Sequence, residues 1–469
     1  MAIKKEKKKR VQKKQKQSQS EKIREKNQRI EERKQKKQLK EVYLTRVKRR
    51  EFQIWAVTLI LCFFGAIMIY SASSTTCASS EACNYDSFYY LKRQLFFIFC
   101  GLIAMVVIPK FEYIHLRYFT LIGYLLCPGL IFWVYKKGDE INGAKRWLQI
   151  GPVSFQVAEL IKLFVIMTLA YLIQMRYRYK RPRWPIFKKR SGRILQALDW
   201  FRMNLITRNH WFVFFLWILG GIPAGLLLLL SKDLSSAIVV LGVTFLITVV
   251  CIKAPKLKWG AFLLVAIGAV GYVLFIRFHM PSEELIASSS YSFRNARIAA
   301  WLDPQRYAST KAYQTLQALY AIGSGGLFGK GFGNSVQKKP GFIPEAHTDM
   351  IFSIICEELG LVGALILIAL LICLLYLIYK VARNSENVYG SVLAMGIFFH
   401  IGIQSIINIA VNINLFPNTG IPLPFFSYGG TSILVIMAEI GIVISIDRYH
   451  CEKRGERFYN EEKEKQLQE

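Results

Sequence analysis

Ten separate apolar runs constrain the fold of this chain more than any other feature of its 469 residues. Each run is long enough, or nearly long enough, to cross the hydrocarbon core of a bilayer as a helix. A soluble domain has no core that would bury so many of them, and 53% of the residues are hydrophobic. We therefore expect an all-α polytopic membrane protein with about ten transmembrane helices. The runs centre on residues 54–71, 95–108, 120–135, 160–173, 211–230, 237–252, 261–276, 350–379, 389–409 and 431–446.

The distribution of Lys and Arg orients these helices. The basic segments are the N-terminal tail, residues 110–117, 176–208, 253–258 and 380–383, and the tail after Asp447. With ten spans all of them fall on one side, which the positive-inside rule identifies as the cytoplasm, together with both termini. The exterior segments are then residues 72–94, 136–159, 231–236, 277–349 and 412–430, and the largest of them connects spans seven and eight.

The polar, Gly- and Pro-punctuated stretches lie almost entirely in the exterior segments. A transporter would place such features near the bilayer midplane. Loops that converge on one face instead predict a site that works at one surface.

The net charge of +31 is concentrated at the N-terminus, where residues 1–50 hold 22 Lys and Arg against 6 Glu. This tail has too few apolar residues to form a core, so we expect it to be disordered or loosely helical. Contact with anionic membrane lipid is the expected role of this tail. A specific protein or nucleic-acid contact is the alternative, although nucleic acid is not among the partners that we expect. The predicted divisions are the tail, residues 1–50, a membrane domain, 51–447, and a charged C-terminal tail, 448–469.

The exterior segment 277–349 breaks the positive-inside pattern because it carries eight Lys and Arg residues. Arg294 and Arg297, three residues apart, would share one helix face. Cations held outside suggest an anionic ligand such as phosphate, with solvated loop charges as the alternative. Lys330 lies in a glycine-dense stretch, 323–335, which predicts either close approach of the backbone to a ligand or a re-entrant turn.

The sequence PEAHTD at residues 344–349 places Glu345, His347 and Asp349 immediately before the eighth apolar run. A carboxylate at this boundary is costly to desolvate. Burial raises its pKa and nearby cations lower it, and this tuning suits a general base. Glu345 and His347 could orient Asp349 or hold a metal. The alternative role, compatible with the first, is capping of the following helix by Thr348 or Asp349.

Other charged residues border the same face. Lys145, Arg146 and Asp233 lie at the exterior ends of spans, where Asp233 also suits a turn. Glu159 and Lys162, three residues apart, are predicted to form a structural ion pair.

Ser427 and the cysteine pair Cys77 and Cys83 are the remaining features of the exterior loops. Ser427 lacks the spacing of a serine hydrolase nucleophile. Cys77 and Cys83 share one short loop, where they either form a disulfide or remain two free thiols.

Several long motifs in one order resemble the SEDS family (shape, elongation, division and sporulation) from residue 54 to about 447. They are NGAKRW, GPVSFQVAELIK, AIGSGGLFGKGFGNSVQK, PEAHTD followed by EELG, and TGIPLPFFSYGG. GNSVQK with PEAHTD resembles the division and sporulation branch (FtsW, SpoVE) more than the elongation branch (RodA). Two family patterns differ here: FQPAE reads FQVAE at 155–159, and QPDLG reads SKDLS at 231–235. Asp233 and Glu159 are retained, but the missing Pro and Gly predict altered loop geometry.

The resemblance implies a peptidoglycan glycosyltransferase that polymerises lipid II at the outer face of the bacterial plasma membrane, in division or sporulation. It implies that Asp349 is the essential acid, here the general base of an inverting displacement that releases undecaprenyl diphosphate. The expected partners are lipid II, a class B penicillin-binding protein transpeptidase and division or sporulation proteins. The residues expected to contact the substrate are Lys145, Arg146, Asp233, Arg294, Arg297, Lys330, Glu345, His347 and Ser427. A divalent cation, Mg²⁺ or Mn²⁺, is an alternative source of positive charge for the diphosphate.

Two other functions remain open at this stage. Polar groups inside the spans, such as Glu357, Glu358, Gln404 and Asn408, suggest a transporter that moves lipid II across the bilayer. The basic tail suggests a scaffold that recruits the division machinery.

Overall fold

A computed structural model describes residues 45, 48–141, 144–150, 153–178, 209–287, 293–344 and 346–468. Most of the basic tail, residues 179–208 and Glu345 lie outside the described residues. By its internal contacts the chain divides into two compact units, Met1–Phe52 with Asp447–Glu469, and Gln53–Ile446. Within the first unit, Arg50 pairs with Asp447 at 3.0 Å and Arg448 pairs with Glu51.

In the described part of the chain, ten helices are long and apolar enough to cross a membrane, which confirms the ten predicted runs. Three shorter helices lie between the seventh and eighth of them. In chain order the helices are α1 (Lys48–Ala78), α2 (Tyr89–Val107), α3 (Leu116–Lys137), α4 (Val157–Arg178), α5 (Asn209–Leu229), α6 (Leu234–Cys251), α7 (Pro255–Phe278), α8 (Glu283–Ala287), α9 (Phe293–Leu302), α10 (Tyr313–Gly325), α11 (Ile351–Asn384), α12 (Val388–Asn412) and α13 (Gly430–Gln468). Short 3-10 turns occupy Glu81–Cys83, Ile108–Lys110 and Tyr113–His115.

The interior of the Gln53–Ile446 unit is built around α4, α12 and the apolar part of α13. These helices bury most of their residues, whereas α7 buries almost none and presents its apolar side chains to the lipid region. Inside this core His400 of α12 pairs with Glu439 of α13 at 2.9 Å, and both side chains are fully buried. Gln404 and Asn408 of the same helix are also buried, so the polar residues of α12 face the protein interior, as intramembrane polar groups usually do.

The connection between α3 and α4 forms a small antiparallel sheet that hydropathy did not predict. Its strands are β1 (Asp139–Ile141), β2 (Ala144–Ile150) and β3 (Val153–Gln156), in the order β1-β2-β3. Trp147 is opposite Gln156 in the register of the second pair. The backbone amide of Gln156 donates to Thr431 Oγ1 at 3.2 Å, so the sheet contacts the start of α13.

Helix α11 is interrupted by the glycine-dense stretch that precedes it. Gly360 has φ 67° and ψ −165°, so the helix is broken there. Backbone groups freed by the break bond to residues 326–331 and are thereby satisfied. The four bonds are Lys330 N to Glu357 O and Gly331 N to Glu358 O, both 2.9 Å, and Leu361 N to Gly326 O and Val362 N to Leu327 O, 3.0 and 3.1 Å.

Only glycine permits this contact between backbones. A Cβ at Gly329 would stand 2.2 Å from Glu358 O, and one at Gly360 would stand 2.4 Å from Gly329 N. The glycine-dense stretch is therefore packed into the break of α11, as a re-entrant turn rather than as a free loop.

Two lysines of this turn neutralise the carboxylates at the break. Lys330 Nζ pairs with Glu357 Oε1 at 2.6 Å, and Lys338 Nζ pairs with Glu358 Oε1 at 2.9 Å. Ser71 of α1 also donates to Glu358 at 2.7 Å. The Glu357 and Glu358 carboxylates, which suggested a transport path, are thus held in ion pairs with the exterior turn.

Candidate functional site

Asp349 lies in the turn before α11, but it does not cap that helix. The N-cap position is Met350, which makes no side-chain capping bond. The expectation that Thr348 or Asp349 caps the helix is therefore wrong. The cap comes from another helix, because Asn412 Oδ1 of α12 accepts from the backbone amide of Ser353 at 3.2 Å.

Two asparagines of α12 hold the backbone of Asp349. Asn412 Nδ2 donates to the carbonyl of Asp349 at 3.0 Å, and Asn408 Nδ2 donates to the same carbonyl at 2.8 Å. Asn408 Nδ2 also donates to the carbonyl of Ile421 at 2.8 Å. Both asparagines are buried, so the position of Asp349 is set by groups inside the membrane domain.

The carboxylate of Asp349 is surrounded closely by polar groups from other segments. Oδ1 accepts from Gln314 Nε2 of α10 and from Thr348 Oγ1, both at 3.3 Å. The other oxygen, Oδ2, faces the backbone of Gly420. The side chain is only partly covered from solvent, yet burial among protein atoms raises the pKa of Asp349 above its ordinary value. The charge of Arg297 and the bonds from Thr348 and Gln314 lower this pKa, but by less than burial raises it.

Arg297 of α9 is the cation of this site. Its Nη1 donates to the carbonyl of Asn418 at 3.0 Å, and Asn418 Nδ2 donates to Gln314 Oε1 at 3.1 Å. Burial lowers the pKa of the Arg297 guanidinium and Asp349 raises it, which shows that the two charges act on each other. A polar chain thus runs from Arg297 through Asn418 and Gln314 to Asp349.

Arg146 extends the positive charge of the site toward the sheet. Its charge lowers the pKa of Arg297, so the two guanidiniums lie in one neighbourhood. Arg146 Nη2 donates to the carbonyl of Lys232 at 3.0 Å, and its Nε lies 3.9 Å from Asp233 Oδ1. Asp233 also caps α6, accepting from the amide of Ser236 at 3.2 Å.

A small cavity with free space of about 10 Å³, roughly enough for a water molecule, lies beside Arg146 and Asp233. Its walls come from α3, α4 and α5, through residues such as Ile131, Ile161 and Leu227. Apolar walls with a guanidinium at one side suit a ligand that joins a hydrocarbon chain to an anionic group, although these walls must part to admit such a ligand.

His347 lies on the other side of the PEAHTD turn, in an aromatic cluster. Its ring is 4.1 Å from that of Tyr90 and 5.7 Å from that of Tyr428, and its carbonyl accepts from the amide of Tyr428 at 2.8 Å. Burial lowers the pKa of His347 to about 4, so the imidazole is neutral near pH 7. His347 therefore joins the turn to α2 and to the loop before α13, rather than supplying a cation.

The other predicted site residues have different surroundings. Lys145 is next to Arg146 on β2 and points to the opposite face of the sheet, because successive side chains alternate. Lys330 is engaged by Glu357, and Ser427 Oγ accepts from the amide of Leu423 at 2.7 Å within a tight turn. Arg294 lies on α9 with its side chain outside the described part, and Glu345 is not among the described residues.

The predicted pair of Glu159 and Lys162 is confirmed. The two side chains are buried and 2.8 Å apart. Among the described residues, no three His, Cys, Asp or Glu side chains come together as ligands for a metal ion. The divalent cation therefore stays a prediction.

The loops that form the site were predicted to share one face, and their mutual contacts confirm this. Segments 277–349 and 412–430 meet through Asn418 and Tyr428, and Ser235 of segment 231–236 donates to the carbonyl of Thr419. The amides of Gln314, Asn418 and Asn412 were missed as site residues. The spacing of Asn408 and Asn412, four residues apart on one helix face, was the available signal.

Comparison with known proteins identifies the fold and the family. The sequence profile of the cell cycle proteins FtsW, RodA and SpoVE matches residues 51–452, which is most of the chain. The chain belongs to the FtsW/RodA/SpoVE family. Asp349, Arg297 and the α12 asparagines therefore lie within the part of the chain that the family shares.

Individual relatives agree with this assignment. A probable peptidoglycan glycosyltransferase FtsW from Neisseria gonorrhoeae is 35% identical over 84% of this chain and 83% of its own length. Stage V sporulation protein E from Bacillus subtilis is 32% identical over 84% of this chain and 95% of its own length. A probable FtsW from Geobacter sp. is 30% identical over 86% of this chain and 98% of its own length.

Solved structures match the fold of this family member. A chain from a peptidoglycan synthase complex, described as coordinating polymerization and crosslinking, has a TM-score of 0.60 and 24% identity, and covers 85% of this chain and 98% of its own length. The rod shape determining protein RodA of Thermus thermophilus has a TM-score of 0.54 and 24% identity, with 84% and 95% coverage.

Proposed function

We propose that this protein polymerises lipid II into β-1,4-linked glycan strands at the outer face of the bacterial plasma membrane. The observation that carries the proposal is Asp349, a carboxylate of raised pKa that the asparagines of α12 hold in place and that a hydrogen-bonded chain links to Arg297. Relatives named peptidoglycan glycosyltransferase, 30 to 35% identical over most of the chain, support the same reaction.

The proposed chemistry is a single inverting displacement. The 4-hydroxyl of the GlcNAc of one lipid-linked disaccharide attacks the anomeric carbon of the MurNAc of another. The hydroxyl proton passes to the Asp349 carboxylate, the new C–O bond forms, and the bond to diphosphate breaks as undecaprenyl diphosphate leaves. A base whose pKa is raised toward neutrality is a better proton acceptor than an ordinary Asp.

Arg297 and Arg146 are the proposed contacts for the leaving diphosphate. Charge grows on the bridging oxygen as the bond breaks, and a guanidinium fixed near that oxygen stabilises the transition state more than the ground state. The apolar side chains beside Arg146 are the proposed contacts for the start of a polyprenyl chain, which enters as these side chains part. Asp233, which lines the same cavity, lies 3.9 Å from Arg146 Nε and helps to keep the guanidinium there.

We also propose that the protein works with a class B penicillin-binding protein transpeptidase, in division or sporulation. The structural match to a chain of a peptidoglycan synthase complex supports such a partner. The transport alternative has less support, because the side chains of Glu357, Glu358 and Asn408 are bonded within the fold. Gln404 is the exception, since neither polar atom of its side chain has a hydrogen-bond partner in the structure.

Polymerisation in detergent micelles tests the proposal against transport. The purified protein, with its transpeptidase partner, is supplied with lipid II in micelles, and the products are separated by length. Because micelles have no second compartment, a ladder of glycan strands can come only from polymerisation. No ladder in micelles, together with movement of lipid II across proteoliposomes, would overturn the proposal.

A further inference from the structure

Two cysteines, Cys77 in the last turn of α1 and Cys83 in the connection to α2, stand unusually close together. Cys77 Sγ and Cys83 Sγ are 2.8 Å apart, which is closer than two non-bonded sulfur atoms pack. A disulfide bond is about 2.05 Å long, so the sulfurs need to approach by only about 0.8 Å. Both side chains are buried, with exposures of 0% and 4%.

The backbone between them is folded back in a series of turns. Ser80 N donates to Cys77 O and Cys83 N donates to Ser80 O, both at 3.2 Å, while Asp86 N donates to Cys83 O at 3.0 Å. Asn84 and Tyr85 adopt left-handed backbone conformations, with φ of 52° and 57°. The fold therefore brings the two thiols together without needing a covalent link, so a bond would form in the native arrangement of the loop.

The loop belongs to the same face as Asp349. The hydroxyls of Thr75 and Thr76, just before Cys77, donate to the carbonyl of Lys338 at 3.2 and 3.4 Å. If that face is exterior, as the basic loops on the other face indicate, these thiols lie in a compartment where disulfides persist.

We propose that Cys77 and Cys83 form an intramolecular disulfide once the loop has crossed the membrane. Each thiol gives up a hydrogen, the S–S bond forms, and the two electrons and two protons pass to the reactive disulfide of an exported thiol oxidase, which leaves as a dithiol. Because the pair is buried in the folded loop, the bond is then shielded from small reductants.

The bond braces the aromatic cluster next to Asp349. Cys83 is six residues before Tyr89, the first residue of α2, and the ring of Tyr90 lies against that of His347, with centroids 4.1 Å apart and planes tilted by 34°. Fixing the turn fixes the start of α2, and with it the ring against which the PEAHTD turn rests. This functional part rests on the proposed polymerase activity, whereas the existence of the bond does not.

Thiol counting and peptide mapping test the bond directly. Membranes are quenched in acid, denatured with an alkylating reagent, and analysed with and without prior reduction. We expect label on seven of the nine cysteines before reduction and on all nine after it, because the bond occupies two. Cleavage after the exposed Glu81 should then give peptides containing Cys77 and Cys83 that separate only after reduction.

Matched variants separate the bond from its proposed effect. Cys77→Ser and Cys83→Ser, singly or together, should lower the unfolding temperature equally and make it insensitive to reductant. Cys373→Ser, at an exposed site on α11, should leave both properties unchanged. Cys77 and Cys83 alkylated without reduction in wild type would overturn the proposal. An intact bond in a protein without polymerase activity would overturn only the proposed function.

Discussion

At the scale of single residues, the charge state of Asp349 governs the proposed reaction. The base must be deprotonated to accept a proton, so activity is expected to rise with pH through the pKa of Asp349. Burial raises that pKa and Arg297 lowers it. The position of the acidic limb in a profile of activity against pH therefore reports the balance between burial and the charge of Arg297.

Replacing Arg297 should move this limb in a known direction. Without the cation, the protonated form of Asp349 is favoured, so in Arg297→Gln the acidic limb should shift to higher pH by about one unit. The maximal rate should fall as well, because a diphosphate contact is lost. Arg306→Gln, an exposed arginine of the same segment, serves as the control. A profile that falls in height without moving along the pH axis would show that Arg297 does not tune Asp349.

Sequence reasoning located Asp349 and Arg297 but missed the amides around them. A titratable group beside an apolar run stands out because burial there is costly. Gln314 and Asn418 are ordinary loop amides in the sequence, and only the packing of α10 against the loop before α13 brings them to Asp349.

At the scale of secondary-structure elements, α12 positions the start of α11. Asn412→Leu removes an acceptor from Ser353 N and a donor from Asp349 O at once. Asp349 O keeps its bond from Asn408 and Ser353 N keeps its bond to Met350 O, so each group loses one of two partners. A lost hydrogen bond costs about 0.5–1.5 kcal/mol, so both stability and kcat should fall. Ser405→Ala is the control, since Ser405 bonds only to its own helix, at Ile401 O. Equal effects of the two variants in thermal unfolding and in steady-state kinetics would contradict the positioning role.

The ion pairs at the break of α11 should be strongly coupled. Lys338→Met leaves the Glu358 carboxylate buried and should destabilise the fold by about 3 to 5 kcal/mol. Adding Glu358→Gln should recover much of that loss, measured as a double-mutant cycle in unfolding experiments. Lys330→Met should cost less, because Lys330 is 32% exposed. Additive effects of Lys338→Met and Glu358→Gln would show that the pair does not hold the turn.

The break itself shows where the hydropathy pattern stops being informative. The run from residue 350 to 379 is apolar throughout except at Glu357 and Glu358, and predicted one helix. The two carboxylates mark the place where the glycine-dense turn enters, but the pairing of residues 326–331 with α11 is a long-range contact. The sheet β1–β3 escaped prediction for a similar reason, since its strands of three to seven residues carry no strong alternation.

At the scale of the whole molecule, the ten spans were predictable because an apolar run of this length crosses a membrane as a helix.

The side of the membrane that each loop faces is inferred from the basic loops, and cysteine labelling tests it. In a background without the nine native cysteines, Phe328→Cys should react with an impermeant maleimide in intact cells. Lys253→Cys should react only after the membrane is opened. Both positions are exposed in the fold, so the reverse pattern would place the site on the cytoplasmic side.

The most direct test of the account is polymerisation of lipid II by the Asp349→Asn variant. This change keeps the size of the side chain and most of its hydrogen bonds but removes the base. Asp303→Asn, a carboxylate of the same exterior segment, is the matched control. We expect glycan strands of normal length from wild type and Asp303→Asn, and none from Asp349→Asn purified with an unchanged unfolding temperature. Strands made by Asp349→Asn at the wild-type rate would contradict the central claim that this carboxylate performs the reaction.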